Sequence, residues 1–517
     1  MFTILGAAQP GITRRALLQA CGGGLALSAI GILAACGGAS PTTAATGSSS
    51  AVAPPSAATS SAAAPVTAAT TSTQTAAATS ASTAATSSAS STVASITTTA
   101  TANSTPTTSS ASITTAPAAS SKVAAAPGGI DYWQYNAQVK DVEAKQVDIF
   151  MQQNPAIKVN YVVNSNFSDY FTKIDTSFAG GVPPDVWNTA PTYYFEYIQS
   201  NDLVRLDPLI QRDLDLTQFY TETLNQWDAP PGSGMKYGIP RDWVINVLYY
   251  NTDLLQRYGV QPPTDDWTWD NLRDAAAKIT NDTGDGSTAH YGVSGWPFND
   301  TILANGGTIL NQQRTRAVVD QSPPALDTLS YLVGAVQVQK ALPVPGYLKN
   351  KPWQEGRLGF NIALTTLVGS MRQTPVPFQW GVAKLPKGKV GRKAYGGPDG
   401  LVISNKPATV ASSWQLVKFL ISTAAQVPLC IAWGGLPVNK AAAATKEFLG
   451  ARPADYQTGL DSAPFMYDLY NADYGKWMAA LSKQVNAALS GTVSAKDALT
   501  QAAHDMNALL TQVYPNG

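Results

Sequence analysis

The residue types that most often perform catalysis or bind metals are sparse in this chain. It has two histidines, His290 and His504, and no His-Glu-x-x-His, Gly-x-Ser-x-Gly or phosphate-loop pattern. Segment 281–286 resembles a calcium loop, but Gly292 stands where the bidentate glutamate belongs, so we expect a polar turn. We therefore predict no metal, no cofactor and no enzymatic activity. A glycosidase needs only two carboxylates, so that class stays an alternative.

Aromatic residues are confined to one part of the chain. All 12 tryptophans lie between Trp133 and Trp477, so the folded part begins near residue 127. It comprises roughly 390 residues, which is too many for one ordinary core and suits two. The 34 basic residues are balanced by 34 acidic ones. A net charge of zero removes the electrostatic basis for nucleic-acid binding, so we expect no nucleic-acid partner.

The N-terminus has the pattern of an export signal. Arg14 and Arg15 precede an apolar stretch that ends in Leu-Ala-Ala-Cys36. A basic start, an apolar centre and small residues at the end predict a signal peptide over 1–35, with export by either the Tat or the Sec route. The last four residues resemble a bacterial lipobox, which implies that Cys36 is lipidated and becomes the first mature residue. An uncleaved membrane anchor is the alternative, but no stop-transfer charges follow.

A low-complexity segment separates the export signal from the folded part. Residues 36–126 consist almost wholly of Ser, Thr and Ala, with Lys122 as the one charged residue. Such a composition cannot bury enough apolar surface to offset the entropy lost on ordering. We predict a disordered tether that holds the folded part away from the membrane.

The folded part alternates strand and helix patterns. Apolar alternation predicts strands near 130–133, 157–163, 183–187 and 247–249, and later near 380–386 and 400–404. Helical spacing of apolar residues predicts helices that end near 154 and 180, one over 269–280 with Thr268 as its N-cap, and one over 414–421. This alternation predicts an α/β fold with a mostly parallel sheet, whose ligand lies beyond the carboxyl ends of the strands.

Several short motifs occur in a characteristic order along this part: Phe150-Met-Gln-Gln-Asn-Pro-Ala-Ile-Lys-Val159, Phe178-Ala-Gly-Gly-Val-Pro-Pro-Asp-Val186, Tyr237-Gly-Ile-Pro240, Leu248-Tyr-Tyr-Asn251 and Gly434-Gly-Leu-Pro-Val438. In this order they resemble the extracellular solute-binding protein family that includes maltose-binding proteins. The resemblance covers essentially all of residues 128–513. Each motif alone is weak, and their collinear order carries the assignment.

The resemblance implies a two-lobed, periplasmic-binding-protein-like α/β fold over 127–517 with a ligand cleft between the lobes. Lobe one would comprise about 128–243 and 382–434, and lobe two about 245–380 and 436–517. The implied function is the solute-binding component of an ABC importer, which captures a carbohydrate or related polyol by hinge closure and delivers it to the permease subunits. We expect a monomer that is exported and lipid-anchored to the outer face of the cell membrane. A surface glycan-binding or sensory protein on the same fold is the alternative.

Sugar recognition needs aromatic faces for the C–H face of the ring and polar groups for the hydroxyls, because an unpaired buried polar group is costly. The positions that match the family's cleft supply both kinds of residue, and the predicted ligand-binding residues are Trp133, Tyr135, Asn188, Thr192, Tyr193, Arg241, Asp242, Trp243, Trp296, Asn361, Thr365, Thr366, Asp399 and Trp433. Maltodextrin-binding relatives often carry an Asp-Arg pair where we align Thr192-Tyr193, and a tryptophan where we align Thr366. These departures argue against maltose itself.

Overall fold

A computed structural model describes residues 129–451, 453–467 and 469–517. The predicted signal peptide over 1–35, the lipidated Cys36 and the tether over 36–126 lie outside the described residues. The mixed α/β architecture of the described part is that of periplasmic binding proteins, as the sequence predicts.

The strands are β1 (Ile130–Gln134), β2 (Val159–Val163), β3 (Val186–Thr189), β4 (Gly238–Asn251), β5 (Tyr291–Ser294), β6 (Leu358–Leu364), β7 (Trp380–Ala383), β8 (Gly396–Ile403) and β9 (Leu436–Pro437). The helices of the first half are α1 (Lys140–Gln153), α2 (Phe167–Ala179), α3 (Pro191–Gln199), α4 (Asp207–Asp213), α5 (Thr221–Asn225), α6 (Thr252–Arg257), α7 (Trp269–Ile279) and α8 (Phe298–Ala304). Those of the second half are α9 (Pro323–Gln337), α10 (Leu367–Gln373), α11 (Val410–Leu420), α12 (Thr423–Trp433), α13 (Lys440–Ala443), α14 (Lys446–Ala451), α15 (Pro453–Asp461), α16 (Tyr474–Leu489) and α17 (Ala495–Val513).

The strands are hydrogen-bonded in the order β2-β1-β3-β8-β4-β6-β5, and β7 and β9 also pair with β4. Strands β1 and β2, β1 and β3, and β5 and β6 are parallel, whereas every described pair that includes β4 or β8 is antiparallel. The prediction of a mostly parallel sheet therefore holds only toward the two ends of the order. The partners of β4 and β8 lie far apart in the sequence, so local alternation carries no signal of their direction.

Strand β4 joins two groups of strands. Its first part, up to Ile245, pairs with β8, and its second part, from Asn246, pairs with β6 and β7. The lobe boundary that we predict near residue 382 falls within β7, which pairs with the second part of β4. The return to the first group of strands comes later, at β8. The long strand also exceeds the short one expected at 247–249.

Helix α7 shows how local sequence sets an element boundary. The Thr268 hydroxyl accepts the backbone N–H of Asn271, and the Asn271 side chain accepts the backbone N–H of Thr268, which forms a capping box. The predicted N-cap is thus confirmed. Leu272, Ala276 and Ile279 are buried on the inner face of the helix, as their spacing predicts.

The core contains several tryptophans that are not in the predicted ligand set. Trp187, Trp227, Trp414 and Trp477 are fully buried, and so is the thiol of Cys430. Burying side chains of this size contributes a large share of the hydrophobic stabilisation.

Among the described residues, no single helix is long and apolar enough to span a membrane; α11 and α12 meet the criterion only together, as a pair bent by 63°.

Candidate functional site

A cavity of about 400 Å³ opens beside Val244, near the middle of β4. Its walls come from both groups of strands that meet at β4, and this volume suffices for a small ligand. We call it the cleft cavity, and its lining residues are Tyr135, Phe167, Ala190, Thr192, Tyr193, Val244, Leu364, Thr366, Tyr395, Gly397, Pro398, Asp399, Trp433, Tyr470, Tyr474 and Gly475.

Six residues of the predicted ligand set meet in this cavity although they come from five separate segments of the chain. They follow β1, β3 or β6, lie within β8, or end α12. The six residues are Tyr135, Thr192, Tyr193, Thr366, Asp399 and Trp433. The cavity therefore combines aromatic rings, hydroxyls and one carboxylate.

Other residues of the predicted set lie beneath the cavity and support it. Trp243 is fully buried and its indole N–H donates to the carbonyl of Pro437 at 2.8 Å, so no ring face is left for a ligand. The Asn188 amide donates to the carbonyl of Gly400 at 3.0 Å from a fully buried position. Thr365 is also buried, where β6 ends. Sequence position alone could not distinguish these residues from their cavity-lining neighbours.

Trp133 and Asn361 lie on strands near the cavity without lining it. Trp133, on β1, is half-buried and packs against the aromatic cluster that contains Tyr170 and Trp187. Asn361, on β6, is half-buried opposite Tyr249 of β4. Side chains alternate between the two faces of a strand, so a shift of one position moves a residue away from the cavity.

Trp296 lies at a second cavity of about 420 Å³. We call this cavity the side chamber; it shares Tyr395 and Tyr474 with the cleft cavity, and its other lining residues are Asn246, Trp296, Pro297, Phe298, Asn299, Asp300, Leu332, Tyr467, Met478, Leu481, Ser482, Val485, Asn486 and Leu489. Trp296 is only 8% exposed. Its ring stacks on Trp269 with centroids 5.1 Å apart, and its N–H donates to the Thr301 hydroxyl at 3.1 Å.

The side chamber contains a buried carboxylate whose two oxygens both accept hydrogen bonds. The Asn246 amide donates to one oxygen of Asp300 at 3.0 Å, and the Tyr467 hydroxyl donates to the other at 2.7 Å. Burial raises the pKa of Asp300 to about 6, although these hydrogen bonds act in the opposite direction.

Arg241 and Asp242 belong to a buried charge network behind the cleft cavity. The Arg241 guanidinium donates to Glu143 at 2.7 Å and to Asp242 at 2.8 Å, and all three side chains are almost completely buried. Glu143 also accepts the Tyr132 hydroxyl at 2.6 Å and the Gln134 amide at 2.8 Å. Buried charges persist only when they are paired, so this network ties α1 and β1 to β4.

Asp242 also faces the carboxylate that lines the cavity. In the ladder between β4 and β8, Asp242 lies directly opposite Asp399, and Asp399 accepts the hydroxyl of Tyr135. Burial raises the pKa of Asp399, and the Tyr135 hydrogen bond and the Arg241 charge counteract this shift. The pKa of Asp242 is raised by burial and by Asp399, against the effect of Arg241.

The indole N–H of Trp433 has no hydrogen-bond partner among the described residues, although the side chain is only 9% exposed. A Cβ atom on Gly435 would lie 2.4 Å from this nitrogen, so a glycine is needed where the chain passes the ring. An unsatisfied buried donor is costly, and the indole N–H groups of Trp227 and Trp269, which lie outside the cavity, are likewise without a partner among the described residues.

The family described as bacterial extracellular solute-binding proteins matches residues 126–427, more than half of the chain. The chain belongs to this family. The solute-binding protein is a component of an ABC transporter and binds its solute without transforming it. The enzyme alternative is therefore not supported.

Known proteins of similar sequence and structure agree with this assignment. A binding protein of Brucella abortus is 23% identical over 319 residues, which are 59% of this chain and 75% of the relative. An ABC substrate-binding protein from Listeria monocytogenes, solved with cycloalternan, is 24% identical with a TM-score of 0.64, covering 75% of this chain and 99% of that one. The sugar-binding protein MalE from Xanthomonas citri is 20% identical with a TM-score of 0.65, covering 75% and 100%. Because both solved structures are less than 25% identical to this chain, they show that the fold is shared.

Sequence reasoning missed several residues of the solute-binding protein's cavity and its surroundings. Tyr395, Tyr470 and Tyr474 precede β8 or lie near the start of α16, where no motif marks them. Glu143 did carry a signal, because a carboxylate four residues from the buried Val147 falls on the apolar face of α1. A buried acid on such a face requires a buried partner, which is Arg241.

No metal site is apparent in the part of the chain that the structure describes, since no group of three or more His, Cys, Asp or Glu side chains is positioned to hold an ion there. Segment 281–286 forms a polar turn, with the Asp282 side chain accepting the backbone N–H of Gly284 at 3.0 Å. The polar turn predicted there is confirmed.

Proposed function

We propose that this protein captures a carbohydrate in the cleft cavity and delivers it to the permease of an ABC importer. The observation that carries the proposal is the composition of the cavity: aromatic rings, hydroxyls and a carboxylate meet there with the unpartnered N–H of Trp433. Rings stack on the apolar face of a sugar, and polar groups satisfy its hydroxyls. We propose Tyr135, Thr192, Tyr193, Thr366, Asp399 and Trp433 as ligand contacts.

Two solved structures with the same fold support a sugar as the ligand. The Listeria monocytogenes protein was solved with cycloalternan, and the Xanthomonas citri protein is a sugar-binding protein. The position of the cavity beside the middle of β4 also supports hinge closure, because β4 is shared by the strand groups that form the two proposed lobes. Ligand contacts from both lobes would favour the closed state.

Export and anchoring complete the proposal. We infer that Cys36 carries lipid and that the tether over 36–126 lets a monomeric binding domain reach the permease subunits from the outer face of the membrane. The Leu-Ala-Ala-Cys36 pattern supports this inference. Replacing Cys36 with Ala in the full chain should release the protein from the membrane fraction or stall its processing. Unchanged membrane retention with normal cleavage would contradict lipid anchoring.

A thermal-shift screen of the full chain against a panel of mono- and oligosaccharides tests the function. A ligand present at a hundred times its dissociation constant should stabilise the protein by about 2.7 kcal/mol. Uptake of that ligand should then fail in cells that lack the gene. If no carbohydrate raises the melting temperature, the sugar assignment is refuted.

A further inference from the structure

The carboxylates beside the cleft cavity outnumber the cations that compensate them. Asp242 and Asp399 lie directly opposite each other in the ladder between β4 and β8. Like charges at directly opposed positions of an antiparallel pair repel each other. Arg241 is the cation that acts on both, and it already binds the carboxylate of Glu143. One guanidinium thus serves three carboxylates in a region with little water.

The walls of the cleft cavity supply no positive charge. Among the described residues that line it, none is a lysine, an arginine or a histidine, and Asp399 is the one carboxylate. Seven of the lining residues are aromatic, Tyr193 and Trp433 among them. The face of an aromatic ring carries partial negative charge and attracts cations, most strongly when water is excluded.

The cavity also contains a donor that needs an acceptor. Trp433 lines the same cavity, and its buried N–H has no hydrogen-bond partner among the described residues. A hydroxyl or ring oxygen of a polyol would accept this hydrogen bond. The cavity therefore combines one group suited to an oxygen with a carboxylate and ring faces suited to a positively charged nitrogen.

We propose that the cleft cavity selects its carbohydrate by charge, preferring a sugar with a protonated amine near Asp399 over a neutral sugar, and a neutral sugar over an anionic one. This inference rests on the proposed function and specifies the ligand class. A cationic nitrogen would sit between Asp399 and the aromatic rings and offset the uncompensated carboxylate. A uronate or a sugar phosphate would place a further negative charge there, with no side-chain cation in the wall to receive it.

The experiment uses the full chain and three series of sugars, each of which keeps one ring configuration and varies the charge at one substituent. Titration calorimetry compares glucosamine, glucose and glucuronate, then galactosamine, galactose and galacturonate, then the β-1,4-linked trisaccharides of glucosamine and N-acetylglucosamine. The pH is chosen so that the amines are protonated and the uronates ionised. We expect the amine to bind about tenfold more tightly than its neutral counterpart, and the uronate at least tenfold more weakly.

Asp399→Asn should bring the ratio of the affinities for the amino sugar and the neutral sugar close to one. Its melting temperature should not fall, because the asparagine side-chain oxygen can still accept the Tyr135 hydroxyl and no carboxylate then lies opposite Asp242. Asp215→Asn is the matched control, since Asp215 is exposed and an asparagine can still cap the short helical turn that begins there. This control should keep the preference.

Equal binding of amine and neutral sugar, tighter binding of the uronate, or an unchanged preference in Asp399→Asn would each overturn the charge selection while leaving the proposed function intact. If no sugar of any series binds, the preference for an amino sugar is refuted, and the thermal-shift panel alone decides the proposed function.

Discussion

The two cavities beside β4 each contain a partly or fully buried carboxylate, but the two acids have different surroundings. In the side chamber, each oxygen of Asp300 accepts a hydrogen bond from a neighbouring side chain. In the cleft cavity, Asp399 accepts the Tyr135 hydroxyl and faces a second carboxylate, Asp242. The first arrangement is complete without a ligand and the second is not. We propose that this difference separates a polar group that holds the fold together from one that binds the solute.

The largest expected effect comes from Trp296→Ala in the side chamber. Removing an indole that stacks on Trp269 and is hydrogen-bonded to Thr301 should lower the free energy of unfolding by about 3–5 kcal/mol. Ligand affinity of the folded protein should change little if this chamber is structural. Urea unfolding and titration calorimetry on the same preparation measure both. A loss of affinity of about thirtyfold would instead place the ligand in the side chamber.

The pH dependence of stability tests the carboxylate of the side chamber. Because burial raises the pKa of Asp300 to about 6, the folded state holds a proton that the unfolded state releases near pH 4. Asp300 should therefore contribute a loss of stability of about 2 kcal/mol as the pH rises from 4 to 6. Asp300→Asn removes this contribution. Urea unfolding of both proteins at pH 4 and pH 7 should give a smaller decline in the variant, and equal declines would show that Asp300 titrates normally.

The smallest expected effect compares two tryptophans that differ in whether their N–H is satisfied. Trp433→Phe should weaken ligand binding by about fivefold, through loss of a hydrogen bond of about 1 kcal/mol. Trp243→Phe loses the same ring volume but also leaves the Pro437 carbonyl without its donor. It should lower the free energy of unfolding by about 1 kcal/mol more than Trp433→Phe while affinity stays normal. Weaker binding in Trp243→Phe together with lower stability in Trp433→Phe would instead make Trp243 the ligand contact and Trp433 the structural residue.

Much of the fold was predictable because its signals are local. The strand near Ile130, the helix that ends near Asn154 and the Thr268 cap all follow from residue spacing within a few turns of chain. The full length of β4 was not predictable in this way. Its first part contains Arg241 and Asp242, which read as a polar loop until the buried Glu143 of α1 is brought against them.

The cavity was predictable to a smaller extent than the fold. The family resemblance directed attention to the ends of β1, β3, β6 and α12, and residues at or just after each of these ends line the cavity. Whether a given side chain points into the cavity or into the core depends on strand alternation and on partners far away in sequence. Trp243 and Trp433 are both aromatic residues near segment crossings, yet one is fully buried and the other lines the cavity.

Because β4 belongs to both groups of strands, it also affects how truncated forms of the chain would behave. Up to Ile245 its backbone groups pair with β8, and from Asn246 they pair with β6 and β7. A fragment that keeps one group of strands and loses the other would expose a row of N–H and C=O groups along half of β4. Such an edge is a template for pairing with other chains. A truncation or a split gene that keeps all of β4 with only one group of strands should therefore yield an aggregating fragment, whereas a division between Ile245 and Asn246 would leave each part of β4 with its own partners.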